Sequence, residues 1–180
     1  MEQLKLNKLK NSTVIGGVIV IIGIACFIIW GNSNKYIYEQ HLKQILGIGS
    51  VKIKNKTLND SWAIGEWYIC ETYDLDQESV NLFICGSQNN SLYSADSLWF
   101  KIDWQKLPIE NQYQDIKDLV LNYSANNGID KQIDKMKTVF SANSGYYSIM
   151  SQPSFEDPQK VIFFLLDQTK NQLFIINTKL

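Results

Sequence analysis

An uncharged, apolar run from Thr13 to Trp30 constrains this 180-residue chain more than any other feature of its sequence. An α-helix rises about 1.5 Å per residue, so the run would measure roughly 27 Å, close to the thickness of a bilayer's hydrocarbon core. The apolar region of a cleaved signal peptide is shorter, about 7 to 15 residues, and ends at a site between small residues. Here Phe27, Ile28 and Ile29 carry the run beyond any such site. The sequence therefore predicts a single transmembrane helix over residues 13–30 that is retained.

Lipid attachment at Cys26 is the alternative to a plain membrane span. The segment Gly23-Ile24-Ala25-Cys26 faintly resembles a bacterial lipobox, in which the cysteine becomes the lipidated first residue. Two features differ from that pattern. The position three before the cysteine is Gly23 instead of a large aliphatic residue, and an apolar segment follows instead of a polar tether. A membrane-buried cysteine is the favoured interpretation, and lipidation of Cys26 stays open.

The lysines on either side of the run indicate how the chain is oriented. Three lie before the run and two follow within about 15 residues, the range over which loop charge matters. They are Lys5, Lys8 and Lys10 before it, and Lys35 and Lys43 after it. Because basic residues favour the cytoplasmic side, this slight excess predicts a cytoplasmic tail at residues 1–12. We expect a single-pass protein of the bacterial inner membrane with its C-terminal domain in the periplasm.

Residues 31–49 are predicted to form a juxtamembrane helix or stalk. Tyr38, Leu42 and Ile45 recur at helical spacing, and glycines at 47 and 49 end the pattern. Aromatic residues beside a span are typical of the belts found at membrane interfaces. The predicted membrane-interface residues are Trp30, Tyr36 and Tyr38.

The amino-acid composition limits which kinds of partner are expected. The net charge is −1 and all 17 basic residues are lysine, although arginine is the favoured reader of guanine edges and the bidentate clamp for phosphate. With a pI near 5.8, a nucleic-acid partner is not expected. The many aromatic and aliphatic residues after the run are typical of a folded domain.

The alternation of apolar and polar residues predicts one extracytoplasmic α+β domain over residues 50–180, with a mainly antiparallel sheet and two packed helices. The predicted helices cover residues 110–124 and 129–140, where apolar residues recur at helical spacing. The predicted strands are VKIKNKT, then a meander of SWAIGEWYICETYD, SVNLFICGS and SLWFKIDW, and finally SGYYSIM, KVIFFLLD and QLFIINTKL. In the third strand of the meander, one face is expected to be buried, and its residues are Leu98, Phe100, Ile102 and Trp104. Residues 161–166 are apolar on both faces, so KVIFFLLD is expected to be a central strand.

Two cysteines of this domain are predicted to form a disulfide. If EWYICET and VNLFICG form a hairpin, Cys70 and Cys85 face each other across it. Such a bond closes a loop of about 15 residues and contributes roughly 3 kcal/mol in the chain-entropy model. It also requires an oxidising compartment, in agreement with the periplasm. The alternative is a pair of buried thiols in a cytosolic domain.

No motif predicts catalysis, a cofactor or a metal site. His41 is the single histidine, and the cysteines have no metal-ligand spacing. The stretch Asp74-Leu75-Asp76-Gln77-Glu78 begins like a calcium loop but lacks the glycine and the final glutamate that such a loop needs. A carboxylate-based envelope enzyme is the remaining catalytic alternative, because scattered acids could approach one another in the fold. They are Glu66, Glu71, Asp103, Glu110 and Asp115.

The predicted function is therefore that of a membrane-anchored, periplasmic protein-binding module. An immunity or inhibitor protein that neutralises a toxin or effector fits this class, and exposed aromatic residues would supply its contacts. The acidic turn Asp74, Asp76 and Glu78 is the predicted partner-binding site. The alternative is a structural subunit of an envelope secretion, conjugation or division complex.

Overall fold

The computed structural model describes residues 33–63, 65–86, 98–123 and 127–179. The predicted tail and transmembrane helix, together with Cys26 and Trp30, lie outside these ranges. Among the helices that are described, none is both long enough and apolar enough to cross a bilayer. The chain divides into two compact units, Met1–Tyr38 and Glu39–Leu180, and the fold given below is that of the second unit.

Six antiparallel strands form one sheet in the spatial order β1-β2-β6-β5-β4-β3. The strands are β1 (Ile53–Ala63), β2 (Glu66–Leu75), β3 (Phe100–Lys106), β4 (Gly145–Gln152), β5 (Lys160–Asp167) and β6 (Gln172–Lys179). The prediction of an α+β domain with an antiparallel sheet is confirmed. The apolar strand β5 lies at the centre beside β6, as its two apolar faces predict.

Helices cover both faces of this sheet. They are α1 (residues 33–46), α2 (Gln77–Gly86), α3 (Gln114–Leu121), preceded by a 3-10 turn (Asn111–Tyr113), and α4 (Asn127–Ala142). The helices α3 and α4 pack on one face, where Val120, Met136 and Phe163 belong to the same buried cluster. The part of α1 from Glu39 onward and α2 pack on the other face, where Leu42 and Phe83 join a second cluster. The sheet is thus the middle layer of three.

The predicted meander is wrong, because the segment from residue 79 to 86 is helical. Asp76 caps this helix: its carboxylate accepts a 2.8 Å hydrogen bond from the backbone N–H of Ser79. Val80 and Phe83, three residues apart, are buried on one side of α2, whereas Leu82 is exposed. A short apolar run of this kind fits a helix or a strand equally well by its pattern. With this segment helical, β2 pairs instead with β1 and β6.

The predicted strand from Ser61 to Asp74 is two strands of a hairpin. The chain turns at Gly65, whose φ of +84° is readily adopted only by glycine. Trp62 therefore lies opposite Trp67 across the β1–β2 pair.

The prediction that β3 buries one alternating face is wrong. Its register against β4 shifts between Ile102 and Gln105, as happens where a β-bulge inserts an extra residue. Ile102 consequently joins the cluster beneath α3 and α4, while Trp104 joins the cluster beneath α1 and α2. Leu98 and Phe100 are exposed.

Candidate functional site

Helices α1 and α2 cover only half of their face of the sheet. Near α2, side chains such as Tyr73, Leu166 and Leu173 are fully buried. Four residues further along β2, β5 and β6, half-buried side chains replace them. We call this surface the open face, and it consists of two rows that cross the sheet. The outer row is Trp62, Trp67, Lys179, Lys160 and Gln152, and the middle row is Asp60, Ile69, Asn177, Ile162 and Met150.

Two indoles form the β1 end of the outer row. Trp62 is 65% exposed, and its ring centroid lies 6.2 Å from that of Trp67. The Trp62 Nε1 donates a 2.9 Å hydrogen bond to Asp60 Oδ2, and the Trp67 Nε1 donates a 3.3 Å bond to Asn177 Oδ1. The polar edge of each indole is thus held by the middle row, while the ring of Trp62 faces solvent.

Two lysines continue the outer row. Lys179 and Lys160 are direct partners on β6 and β5, and like charges in such positions repel each other. The Lys179 Nζ lies 5.4 Å from the centroid of the Trp67 ring, within the range of a cation–π contact. The other three members of the row are uncharged, so the row as a whole is positive. An anionic group of a ligand or partner would relieve this repulsion.

A groove of about 420 Å³ separates the middle row from α1. One wall is the α1 segment that carries His41, Gln44 and Ile45. The floor is apolar and comes from three strands, with Ile69, Ile162, Phe164 and Ile175. This volume lies within the range of about 300 to 1,000 Å³ that is typical of ligand pockets. The open face thus offers an apolar depression beside a positive, aromatic row.

Glu71 lies at the rim of this groove but is engaged within the chain. Its Oε1 accepts a 3.0 Å bond from Lys56 Nζ, and its Oε2 accepts a 2.6 Å bond from the hydroxyl of Tyr73. The other four acidic residues that could take part in catalysis are all exposed. Glu66 lies on β2, Asp103 on β3, and Glu110 and Asp115 lie around α3. No group of three or more His, Cys, Asp or Glu residues that could hold a metal ion occurs within the described ranges.

The acidic stretch predicted to bind a partner is not a hairpin turn but the end of β2 and the start of α2. Asp74 accepts a 2.7 Å bond from Gln172 Nε2, and Asp76 caps α2. Burial alone would raise the pKa of Asp76, but the hydrogen bonds from Ser79 and the nearby Lys52 and Lys54 outweigh it, so its pKa lies below the usual range. Glu78 pairs with Lys52 at 3.8 Å in an exposed position. A partner-binding role for these acids stays a prediction, and two of them already serve the fold.

The predicted disulfide is absent, because Cys70 and Cys85 are free thiols. Cys70 is buried on β2 in the cluster beneath α3 and α4. Cys85 is exposed on α2, which packs against the opposite face of the sheet. Burial raises the pKa of the Cys70 thiol to about 12. The inference of an oxidising compartment from this bond therefore loses its basis.

The predicted membrane-interface residues within the described ranges, Tyr36 and Tyr38, are exposed on α1. A role at a membrane stays a prediction for them. His41 is exposed on the same helix, at the mouth of the groove.

The sequence reasoning missed the residues of the outer row. A signal for the two indoles was present: Trp62 and Trp67 are placed symmetrically about Ile64 and Gly65, as in a hairpin with a two-residue turn. A signal for the two lysines was present as well. The predicted strands KVIFFLLD and QLFIINTKL form a hairpin around residues 168–171, and a hairpin closed by that turn places Lys160 opposite Lys179, as observed.

No protein-family model, curated protein sequence or solved structure matches this chain.

Proposed function

We propose that this chain is a protein-binding module, tethered to a membrane by residues 13–30, that recognises its partner through the open face. The observation that carries this proposal is the exposure of large apolar side chains on one face of β1. Trp62 is 65% exposed and Leu58 is 56% exposed, and both point to the same side because they are four residues apart on a strand. Exposed apolar patches mark interaction sites, and tryptophan is among the residues that dominate binding energy.

The charges of the open face define the chemistry of this partner. Lys160 and Lys179 place two like charges side by side, and a complementary partner would present acidic groups there. The neighbouring groove would take apolar side chains from the same segment. We therefore propose a partner segment that combines apolar and acidic residues.

Within this class, we propose an inhibitor or immunity protein that holds a toxin or effector at the periplasmic side of the inner membrane. A domain fixed to the membrane by one span needs a single recognition surface for this task, and the open face would supply it. The slight excess of lysines before the span supports this orientation.

Affinity capture with the full-length chain tests the proposal. The tagged wild-type chain and each variant are expressed in the native host, and partners extracted in mild detergent are identified by mass spectrometry. We expect one stoichiometric partner, with capture reduced at least about 30-fold by Trp62→Ala, which corresponds to a hot-spot loss of about 2 kcal/mol. Leu58→Ala should also weaken capture.

The matched control is Leu82→Ala, which makes the same change at a leucine that is 42% exposed on α2, away from the open face. This variant should capture the partner as the wild type does. Equal capture by the Trp62, Leu58 and Leu82 variants would place the binding surface elsewhere. Capture of a set of envelope-complex subunits would favour the structural alternative.

A further inference from the structure

The strand β1 forms one edge of the sheet and has features of a pairing surface. It is 11 residues long, contains no proline, and pairs with β2 on one side only among the strands described. The opposite edge strand β3 has 7 residues. Both edge strands have a shift in register, β3 between Ile102 and Gln105 and β1 between Ile53 and Asn55. An edge strand presents a row of backbone N–H and C=O groups that a further strand can pair with. The edge with the longer regular stretch is therefore β1, from Asn55 to Ala63.

We propose that two copies of this chain pair through their β1 edges, antiparallel, about a two-fold axis at Leu58. This alignment places Asn55 opposite Ser61 of the partner subunit and pairs residues 55–61 of the two copies, all within the regular stretch of β1. The start of β1 lies outside the paired segment, because the Ile53 N–H already donates a 3.0 Å hydrogen bond to Glu39 Oε1. A two-fold interface uses the same patch on both copies, as most homodimers do.

The side chains of β1 are complementary to themselves in this alignment. On the open face, Leu58 meets Leu58 of the partner subunit, and Lys56 meets Asp60 of the partner subunit. Symmetry repeats the Lys56–Asp60 pair on the other side of the axis. Cross-strand pairs of opposite charge and pairs of apolar residues both stabilise a sheet.

The opposite face of β1 is also matched. There Asn55 would face Ser61 of the partner subunit, and Thr57 would face Asn59 of the partner subunit, so both of these pairs can form hydrogen bonds. Moving the alignment by two residues in one direction places Leu58 against a partner lysine, and in the other direction against a partner aspartate. The alignment centred on Leu58 is therefore preferred by the chemistry of its cross-strand pairs.

Lys56 is already positioned at this edge. Its Nζ lies 3.0 Å from Glu71 Oε1 and 5.2 Å from the centroid of the Tyr73 ring. Glu71 and Tyr73 both belong to β2, so they hold the lysine on the open face. In the proposed dimer, Asp60 of the partner subunit would lie next to it there. Pairing would join the two sheets and bring both copies of the Leu58–Trp62 surface together. This inference does not rest on the proposed function, because the edges would pair whether or not a different protein binds the open face.

Cysteine cross-linking of the full-length chain tests the two-fold axis. Facing residues of antiparallel strands have Cα atoms about 4.5 to 5.5 Å apart, within the range of a disulfide. In a background of Cys26→Ser and Cys85→Ser, Leu58→Cys should form a covalent dimer after mild oxidation in detergent. Asp60→Cys is the matched control, because its Cα would lie about 13 Å from its own copy along the strand direction. That control should stay monomeric, whereas a mixture of Lys56→Cys and Asp60→Cys chains should cross-link.

A monomeric Leu58→Cys chain, or equal cross-linking by Asp60→Cys alone, would overturn the proposal. Retained protection of Cys70 from maleimide without denaturant shows that each variant is folded. Sedimentation of the full-length chain gives an independent measurement. Asp60→Lys should weaken the dimer at least about 10-fold by placing lysines opposite each other, whereas Asp103→Lys, the same charge change on the other edge strand, should leave it intact.

Discussion

The indole Nε1 of Trp104 donates a 2.9 Å hydrogen bond to the main-chain carbonyl of Ile45. Carbonyls in the last turn of a helix have no partner within the helix, so an aromatic donor from β3 satisfies one of them at the end of α1. Gly47 follows with a φ of +64°, and the Ile48 N–H bonds back to the Lys43 carbonyl at 3.2 Å. These features form a Schellman motif. The bond from Trp104 fastens this helix end to the sheet and thereby fixes one wall of the groove.

Trp104→Phe should lower the free energy of unfolding by about 2 kcal/mol, because it leaves the buried Ile45 carbonyl unsatisfied. The aromatic ring would still contact Phe83, whose centroid lies 5.1 Å away. Urea denaturation followed by circular dichroism measures the loss. Trp62→Phe makes the same change at an exposed site and should cost less than about 0.5 kcal/mol. Equal losses in the two variants would contradict a fastening role for the Trp104 indole.

Removal of the α2 cap should produce a loss of stability that depends on pH. Asp76→Ala should cost about 1 kcal/mol at pH 7, because the Ser79 N–H loses its acceptor. The pKa of Asp76 is lowered in the folded protein. Its contribution is therefore fully present above the unfolded pKa of about 3.9 and is lost as the pH falls through the folded pKa.

Urea denaturation of the wild type and Asp76→Ala between pH 2 and pH 7 tests this dependence. The difference in unfolding free energy should shrink below about pH 4. Glu78→Ala is the control, because the ion pair of Glu78 with Lys52 is exposed and should contribute little. A difference that stays constant down to the lowest pH would show that the Asp76 charge is not involved.

Gly145 should be intolerant of a side chain. A Cβ at this position would clash with the carbonyl oxygen of Leu166 and lie 3.1 Å from Val139 Cγ1. Gly145→Ala should therefore destabilise the protein by about 2 kcal/mol, the cost of overpacking a core. A Cβ at Gly49 would meet nothing within 4 Å, so Gly49→Ala should be nearly neutral. Thermal unfolding of both variants compares them directly, and equal midpoints would be inconsistent with the close approach of α4 and β5 at Gly145.

The elements that the sequence predicted correctly are those with a sustained period. The helical spacing of Ile129, Ile133 and Met136 identified α4, and the continuous apolar run of β5 identified a central strand. The prediction failed where a short apolar segment follows a capping residue. The spacing of Val80 and Phe83 is compatible with a helix or a strand. The hydrogen bond from the Ser79 N–H to the Asp76 carboxylate caps a helix there, and this contact favours the helix over the strand.

The open face was less predictable than the fold, because it depends on register. Lys160 and Lys179 are 19 positions apart in the sequence, and they meet because the β5–β6 hairpin pairs them. The predicted turn at residues 168–171 implies this pairing, but it does not show which face of the sheet the helices leave open. The exposure of Trp62 depends on which part of the sheet α1 covers, and no local pattern contains that information. The error in β3 arose similarly, because a bulge reverses the side on which Trp104 lies.

The two cysteines of the domain should differ sharply in reactivity. Cys85 is exposed, so maleimide should label it in the native protein at pH 7.5. Cys70 is buried, and its pKa is raised to about 12, so almost no thiolate is present to react. In a Cys26→Ser background, mass spectrometry should show one label on the native chain and two after denaturation without a reducing agent. Cys85→Ser should show none and then one, which assigns the native label. If the denatured wild-type domain takes up label only after reduction, then Cys70 and Cys85 are joined, and the packing of α2 against the face opposite Cys70 would have to be rejected.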